Sequence, residues 1–403
     1  MNETLNDLMR DATRLTRGGQ LQEATAVLQR WLAGQRPAAA GAPTPSSAAV
    51  VAGPGEVLEG CVFEVELPKA NPRQAEPAVE RREARSPSSA PPLRPSPGSF
   101  VAGVHSHASL TRHYKLYVPP AAQEGRPLPL VVMLHGCTQN PDDFAAGTGM
   151  NERALAQGFF VLYPAQSQEA NSSRCWNWFK HNHQQRDRGE PALIASLTQA
   201  VAEEHPIDPA RIYVAGLSAG GAMAAIMGAA YPELYAAVGV HSGLPPGAAN
   251  SVGEALSAMN GGGPAMAMPP GLRRATPLAA NRPASGQRPT LGIATIVFHG
   301  DQDKTVHPNN GVQVMDARLA AQGPGPAASA VEQQGTSVQG RRFTRKIHAD
   351  AAGHALGEHW TLHGAGHAWS GGNPAGSYTD RLGPDATGEM LRFFFEHPKQ
   401  KRR

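Results

Sequence analysis

No stretch of this chain approaches the roughly 18 consecutive apolar residues of a membrane span, and residues 1–30 carry acids within an amphipathic pattern where a signal peptide would place its apolar segment. The sequence thus offers neither a membrane span nor a recognisable export signal. Charge of one sign is also scarce: 36 Lys and Arg against 33 Asp and Glu leave a net charge of +3. No basic run stands beside interleaved aromatics as a nucleic-acid groove requires, so nucleic acid is not an expected partner. Cysteine is nearly absent. The three present, Cys61, Cys137 and Cys175, are too few for a disulfide scaffold and have no CxxC spacing for zinc, and no metal or cofactor is expected.

What is there changes texture along the chain. Residues 3–32 place Leu5, Leu8, Met9, Ala12 and Leu15 at helical spacing, break at Gly18 and Gly19, and resume with Leu21, Ala24, Leu28, Trp31 and Leu32. The pattern predicts an amphipathic helical hairpin over 1–34. Such a hairpin cannot bury both stripes by itself and calls for docking on the main domain, on a second copy, or on a hydrophobic surface. Residues 35–98 are rich in Pro, Ala and Ser and read as a linker without a core of its own, with one strand-like exception at Cys61–Leu67.

From residue 99 to 397 short apolar runs alternate with helical patterns. Strands are predicted at Tyr114–Val118, Leu130–Leu134, Phe159–Tyr163, Ile212–Ala215, Ala237–His241 and Thr295–Phe298, a helix opening at Pro191, and a closing helix over Ala386–Phe395. Runs apolar at every position suit strands covered on both faces. The expected fold class is α/β, a mostly parallel sheet with helices on both faces. The Gly- and Pro-rich segment Pro245–Arg288 lacks clear periodicity and is expected to be a lid or insertion near the site.

The strongest chemical signal is Gly216-Leu217-Ser218-Ala219-Gly220, set between a strand and an Ala- and Met-rich helix. That is the context of a nucleophile elbow, in which a strained turn lifts the serine oxygen out of the sheet top and small flanking residues let strand and helix approach. A GxSxG occurs by chance in Gly-rich chains, and this one has 44 Gly; the strand before and helix after favour the functional reading. A serine hydroxyl needs a base and an acid that orients it, in the order Ser, acid, His for an α/β-hydrolase fold. The acid is expected in the loop after Phe298, where Asp303 is preferred to Asp301 because it can reach back over the sheet edge. The base is expected in the later loop, where His367, flanked by small residues, is preferred to His363, which more naturally ends a strand. For the oxyanion hole, the N–H of Ala219 and that of Cys137, in the loop after an early strand, are the expected donors. A bridge between Cys137 and Cys175 would stiffen that loop, whereas a reducing compartment would leave both as thiols. Trp176, Trp178 and Trp369 are expected as flat apolar walls of a substrate cleft, although aromatics more often mean core.

These residues together resemble the polyhydroxybutyrate depolymerase family of esterases, relatives of which act as feruloyl or acetylxylan esterases. The resemblance spans most of Phe100–Phe395. It is carried by YKLYVP at Tyr114–Pro119, LHGCTQN at Leu134–Asn140, CWNWF at Cys175–Phe179, GLSAGGAM at Gly216–Met223, HGDQDKTV at His299–Val306, GAGHAWSGG at Gly364–Gly372 and GPDATGEMLRFF at Gly383–Phe394. It implies Ser218, Asp303 and His367 as a triad, Cys137 paired with Cys175, and a polyester or small ester as substrate. It also points to the extracellular region, whereas the hairpin and linker at the front of the chain leave a cytoplasmic location open. Rival expectations are a peptidase on the same fold and a non-catalytic granule-binding protein in which residues 1–34 do the work.

Overall fold

The computed structural model describes residues 98–261, 291–321, 329–350 and 353–399. The hairpin expected at 1–34, the linker up to residue 97 with its Cys61–Leu67 segment, and residues 262–290 lie outside them.

Ten strands form one sheet: β1 (Ser99–His107), β2 (Leu110–Val118), β3 (Leu128–Leu134), β4 (Phe160–Pro164), β5 (Ile207–Leu217), β6 (Ala237–His241), β7 (Ala294–Gly300), β8 (Ser329–Thr336), β9 (Arg342–Ala349) and β10 (Ala355–Leu362). Two short strands, β11 (Trp369–Ser370) and β12 (Thr379–Asp380), pair separately. The helices are α1 (Pro141–Thr148), α2 (Met150–Gln157), α3 (Gly189–Glu204), α4 (Ala219–Ala230), α5 (Val252–Met259), α6 (Asn309–Ala320) and α7 (Ala386–Glu396). The sheet order is β1-β2-β4-β3-β5-β6-β7-β10-β9-β8. The six strands from β4 to β10 run parallel, and antiparallel strands flank them on both sides.

The apolar runs explain the layering. β3, LPLVVML, is buried at every position, and its side chains divide by period two. Leu130, Val132 and Leu134 join the core on one face with Ile194 and Leu197 of α3, Met223 and Ile226 of α4, and Val314 of α6. Val131 and Met133 join the other core with Phe144 of α1, Met150 of α2, and Met390, Phe393 and Phe394 of α7. β5 splits in the same way, Ile212 and Val214 against Tyr213, Ala215 and Leu217. Helices on both faces are thus the consequence of strands with no polar side.

The chain winds from β3 outward to β4, then returns across β3 to β5. Helices α1 and α2 therefore leave β3 toward one face and α4 leaves β5 toward the other. Where winding reverses between neighbouring parallel strands, their carboxyl ends part and open a crevice. Both motifs expected to carry the chemistry, Leu134–Asn140 and Gly216–Gly220, sit at that reversal.

From residue 99 onward the predicted strands and helices coincide with observed ones apart from shifts of a few residues at their ends; β4 begins at Phe160, not Phe159, and β5 begins five residues before the run Ile212–Ala215. β1, β8 and β9 were not predicted. β8, SAVEQQGT, is exposed at nearly every position, so its sequence has no apolar face to read. The segment Pro245–Arg288 contains α5, which Ser251 caps by accepting from the Glu254 N–H at 3.3 Å.

Candidate active site

Ser218 stands between β5 and α4 with φ 58° and ψ −120°, a region that a non-glycine residue adopts only under constraint. The constraint is visible on both sides. A methyl group on Gly216 would lie 2.4 Å from the Gly220 carbonyl, and one on Gly220 only 2.0 Å from the Leu134 oxygen at the end of β3. The two glycines are therefore needed for close approach. The Ser218 N–H donates to the His241 carbonyl at 2.9 Å, so the turn is stitched to the end of β6. Ser218 itself is 9% exposed.

The acid and base expected from the sequence meet. His367 Nδ1 lies 2.7 Å from Asp303 Oδ2. Since the carboxylate accepts, the proton is on Nδ1 and Nε2 is left as an acceptor. The Asp303 carboxylate has no exposed surface. Its other oxygen accepts from the N–H groups of Thr305 and Val306, both at 2.9 Å. His299 Nε2 stands 3.5 Å from Oδ2 while donating to the Val306 carbonyl at 2.8 Å. Burial alone would raise the carboxyl pKa, but the hydrogen bonds from His299 and His367, the nearby imidazole charge and the backbone donors outweigh it, holding Asp303 well below the usual carboxylate range.

His241 ties the serine turn to the histidine loop. Its carbonyl holds Ser218, its Nε2 accepts from the Ser370 N–H at 3.0 Å, and its ring stacks on Trp369 at 5.1 Å and on Phe298 at 5.8 Å. Burial, with the His299 and His367 charges added, pushes its pKa down to about 3, so the ring stays neutral and structural. Among the described residues neither the Ser218 hydroxyl nor His367 Nε2 makes a hydrogen bond, so both atoms are unengaged.

The loop after β3 is fixed from three directions. Cys137 is disulfide-bonded to Cys175, and Thr138 N–H donates to the Ser173 carbonyl at 2.6 Å. The Gly136 carbonyl, which shares a peptide plane with the Cys137 N–H, accepts from His135 Nδ1 at 2.8 Å and from the Gln139 N–H at 3.3 Å. His135 Nε2 in turn accepts from the Gln166 N–H at 3.1 Å, and burial pushes this imidazole down to about 4, keeping it neutral. Gln139 takes the Gly136 N–H at 2.9 Å and gives its amide to Asp143 and Ser377. Fixing the carbonyl fixes the direction of Cys137 N–H. That N–H and the N–H of Ala219, first residue of α4, donate to no acceptor among the described residues.

Beneath this loop lies a buried polar cluster that the sequence reading did not single out. Glu190, with no exposure, accepts from Gln166 Nε2, from Asn177 N–H at 2.7 Å and from Asn177 Nδ2 at 2.7 Å, with Arg112 at 3.5 Å. Gln166 and Asn177 flank Cys175 in sequence, so the cluster anchors the partner to which the loop after β3 is bonded.

The three tryptophans expected as cleft walls are core residues. Trp176 and Trp369 are almost fully buried and Trp178 nearly so. Trp369 meets Phe144 edge-on and donates its indole N–H to Thr387 at 3.0 Å; Trp178 meets Phe179 edge-on. Their surface is spent on packing beneath the site. Among the described residues no cluster of His, Cys, Asp and Glu suits a metal ion.

A parallel sheet whose winding reverses at a strained serine turn, with an Asp after β7 and a His after β10, defines an α/β-hydrolase. An acetyl xylan esterase from Aspergillus awamori has the same fold, with a TM-score of 0.55 and 19% identity, covering 74% of this chain and 100% of that one. The family model described as Esterase PHB depolymerase matches residues 112–338, and the chain belongs to that family. It is 32% identical over 246 residues to poly(3-hydroxyalkanoate) depolymerase C of Paucimonas lemoignei, covering 59% of this chain and 54% of that protein. It is 30% identical over 227 residues to a probable acetylxylan esterase A of Aspergillus fumigatus, covering 52% and 55%. The chain spans about half the length of these curated relatives.

Proposed function

We propose that this chain is a serine esterase that hydrolyses carboxylic esters through an acyl-enzyme, with poly(3-hydroxybutyrate) or its oligomers as substrate. The observation that carries the reading is the combination of a strained Ser218 with a His367–Asp303 pair whose carboxylate is wholly buried, the serine turn and the histidine loop both tied to His241.

Ser218 Oγ attacks the ester carbonyl while His367 Nε2 takes its proton. Asp303 keeps the proton of the resting imidazole on Nδ1 and stabilises the imidazolium that forms. The carbonyl oxygen, now an anion, is received by the N–H groups of Cys137 and Ala219, which need no reorganisation because their peptides are already fixed. His367 protonates the leaving alkoxide, a water then loses its proton to the same nitrogen and attacks the acyl-enzyme, and the acid and Ser218 are released. The link between Ser218 and His367, unengaged at rest, tightens once substrate is bound, as catalytic hydrogen bonds commonly do. The depolymerase relative supports a polyester, and the acetylxylan esterase relatives support an acetyl ester as the second reading. Residues 1–34 would hold the enzyme to a granule surface or to a second copy; their deletion should reduce polymer association and leave hydrolysis of a soluble ester intact.

The test is product release by wild type and Ser218→Ala from amorphous poly(3-hydroxybutyrate), methyl ferulate, acetylated xylan and p-nitrophenyl acetate. Hydroxybutyrate released by wild type, with a loss on the order of 10⁴-fold or more in the variant, is the expected result. Activity confined to ferulate or acetyl esters would keep the mechanism and replace the substrate. Full activity in Ser218→Ala would overturn the mechanism.

A further inference from the structure

Seven non-glycine residues among those described have positive φ, and five of them, Thr138, Arg174, Ser218, Ser242 and Tyr378, surround the site. Four have a place in what precedes: Ser218 is the turn itself, Ser242 follows the strand that holds it, and Thr138 and Arg174 adjoin the two disulfide cysteines. Tyr378 does not. It is a bulky aromatic at φ 52°, where such a side chain is a true outlier, and it is 47% exposed, so packing of its ring does not explain it.

Its neighbours hold it there. Ser377 is anchored by Asp143 through its N–H at 2.8 Å and its hydroxyl at 2.6 Å, and by Gln139 of the oxyanion loop. The Tyr378 carbonyl accepts from the Trp369 N–H at 2.7 Å, two residues beyond His367, and Thr379 pairs with Trp369 in β11 and β12. The phenol reaches the oxyanion loop: Tyr378 OH lies 3.2 Å from Thr138 Oγ1. Because the Thr138 hydroxyl donates to the Cys137 carbonyl at 2.6 Å, the phenol is the donor in this contact. An aromatic face, exposed and held in strain by six neighbouring hydrogen bonds or pairings, thus spans from the base loop to the oxyanion loop.

We propose that Tyr378 is a substrate-contacting, specificity-determining residue, its ring covering the apolar part of the ester beyond the scissile bond. This rests on the esterase reading above. A tyrosine combines a rigid apolar face with a polar end, which suits a chain in which methylene and methyl groups alternate with ester oxygens. Strain kept at an exposed residue is more readily understood as serving a ligand than the fold.

The experiment compares wild type, Tyr378→Phe, Tyr378→Ala and Tyr378→Gly on p-nitrophenyl acetate, p-nitrophenyl octanoate and a 3-hydroxybutyrate trimer, with Tm measured for each. For Tyr378→Ala and Tyr378→Gly, kcat/KM on the long substrates should fall about tenfold, chiefly through KM, against less than about threefold on acetate. Tyr378→Phe should retain most activity. Tyr378→Gly, which accepts positive φ freely, should melt no lower than wild type, showing that its loss is not unfolding. Equal losses on short and long esters, or none, would overturn the proposal. The esterase reading is judged separately, by the wild-type rows alone: failure on the trimer with activity on octanoate removes the polyester and leaves Tyr378 tested.

Discussion

Two Asp–His pairs bridge the same two loops, four residues apart on the histidine side and two on the aspartate side. Asp303 and His367 meet at 2.7 Å with the carboxylate fully buried; Asp301 and His363 meet at 3.0 Å with both side chains about one-third exposed. Asp301, like Asp303, is held below its ordinary pKa: burial opposes this, but His363 and the Gly364 N–H outweigh it. The difference lies in the far nitrogen. His363 Nε2 is occupied by Thr344 Oγ1 at 2.8 Å, so that ring is fastened at both ends. His367 Nε2 has no such partner and can accept a proton. Proximity of a carboxylate and an imidazole therefore does not by itself make a base; a general base also needs its second nitrogen unoccupied.

The sharpest way to break this contrast is Asp303→Asn, which should lower kcat by about 10⁴-fold on any ester the enzyme hydrolyses, because the amide permits the wrong imidazole tautomer. Near-normal turnover would erase the distinction between the pairs. Next in size, Cys175→Ser removes the disulfide brace of the loop after β3. With a sequence separation of 38, the chain-entropy estimate gives roughly 3 to 4 kcal/mol of lost stability, read by urea denaturation. A midpoint unchanged from wild type would mean that the Glu190 cluster and the Thr138–Ser173 hydrogen bond hold the loop unaided.

A third effect separates buried from exposed imidazoles. Burial lowers His135 and His359 to about 4 and His241 to about 3. In the unfolded chain each would titrate near 6.5. Between about pH 6.5 and pH 4 the unfolded state therefore binds more protons than the folded one, and stability must fall as pH falls through that window. Below about pH 4 the Asp303 carboxylate takes up a proton in the unfolded chain while staying ionised in the folded one, which adds to the loss. Urea midpoints measured from pH 7 to pH 4 should decline steadily, and a flat profile would contradict the buried, neutral state of these rings. The smallest effect is expected at the exposed pair: Asp301→Asn should change kcat/KM by less than about threefold, since it only loosens a loop.

The central strands were legible in the sequence because burial on both faces leaves runs such as LPLVVML with no polar break, and the site was legible where local geometry restricts residue type. Gly216 and Gly220 are required by carbonyls 2.4 and 2.0 Å from where a methyl would lie, and the serine between them is thereby marked. Choosing Asp303 over Asp301 and His367 over His363 rested on reach and small neighbours, and the first pair does meet. Less was visible where a residue's work depends on distant chain. His241 ends an apolar run like any strand residue, yet holds Ser218 and also bonds Ser370, 129 positions further on. Glu190, at the start of α3, was not singled out, because its partners Gln166 and Asn177 are brought to it only by the fold. The tryptophans misled because composition gives their size and not the direction they face, and they face the core. The exposed edge strand β8 has no pattern to read, since pairing with β9 alone defines it.

The hydrogen bond from Ser218 N–H to the His241 carbonyl has a consequence for exchange with solvent. It places the amide of the proposed nucleophile in the central ladder, among protons that leave only when the sheet opens as a whole. Immediately beside it, the amides of Ala219 and Cys137 have no acceptor and should be replaced by deuterium much sooner. Two clocks would thus run side by side, the slow one keeping the serine in place and the fast ones belonging to the groups proposed to receive the substrate's oxygen.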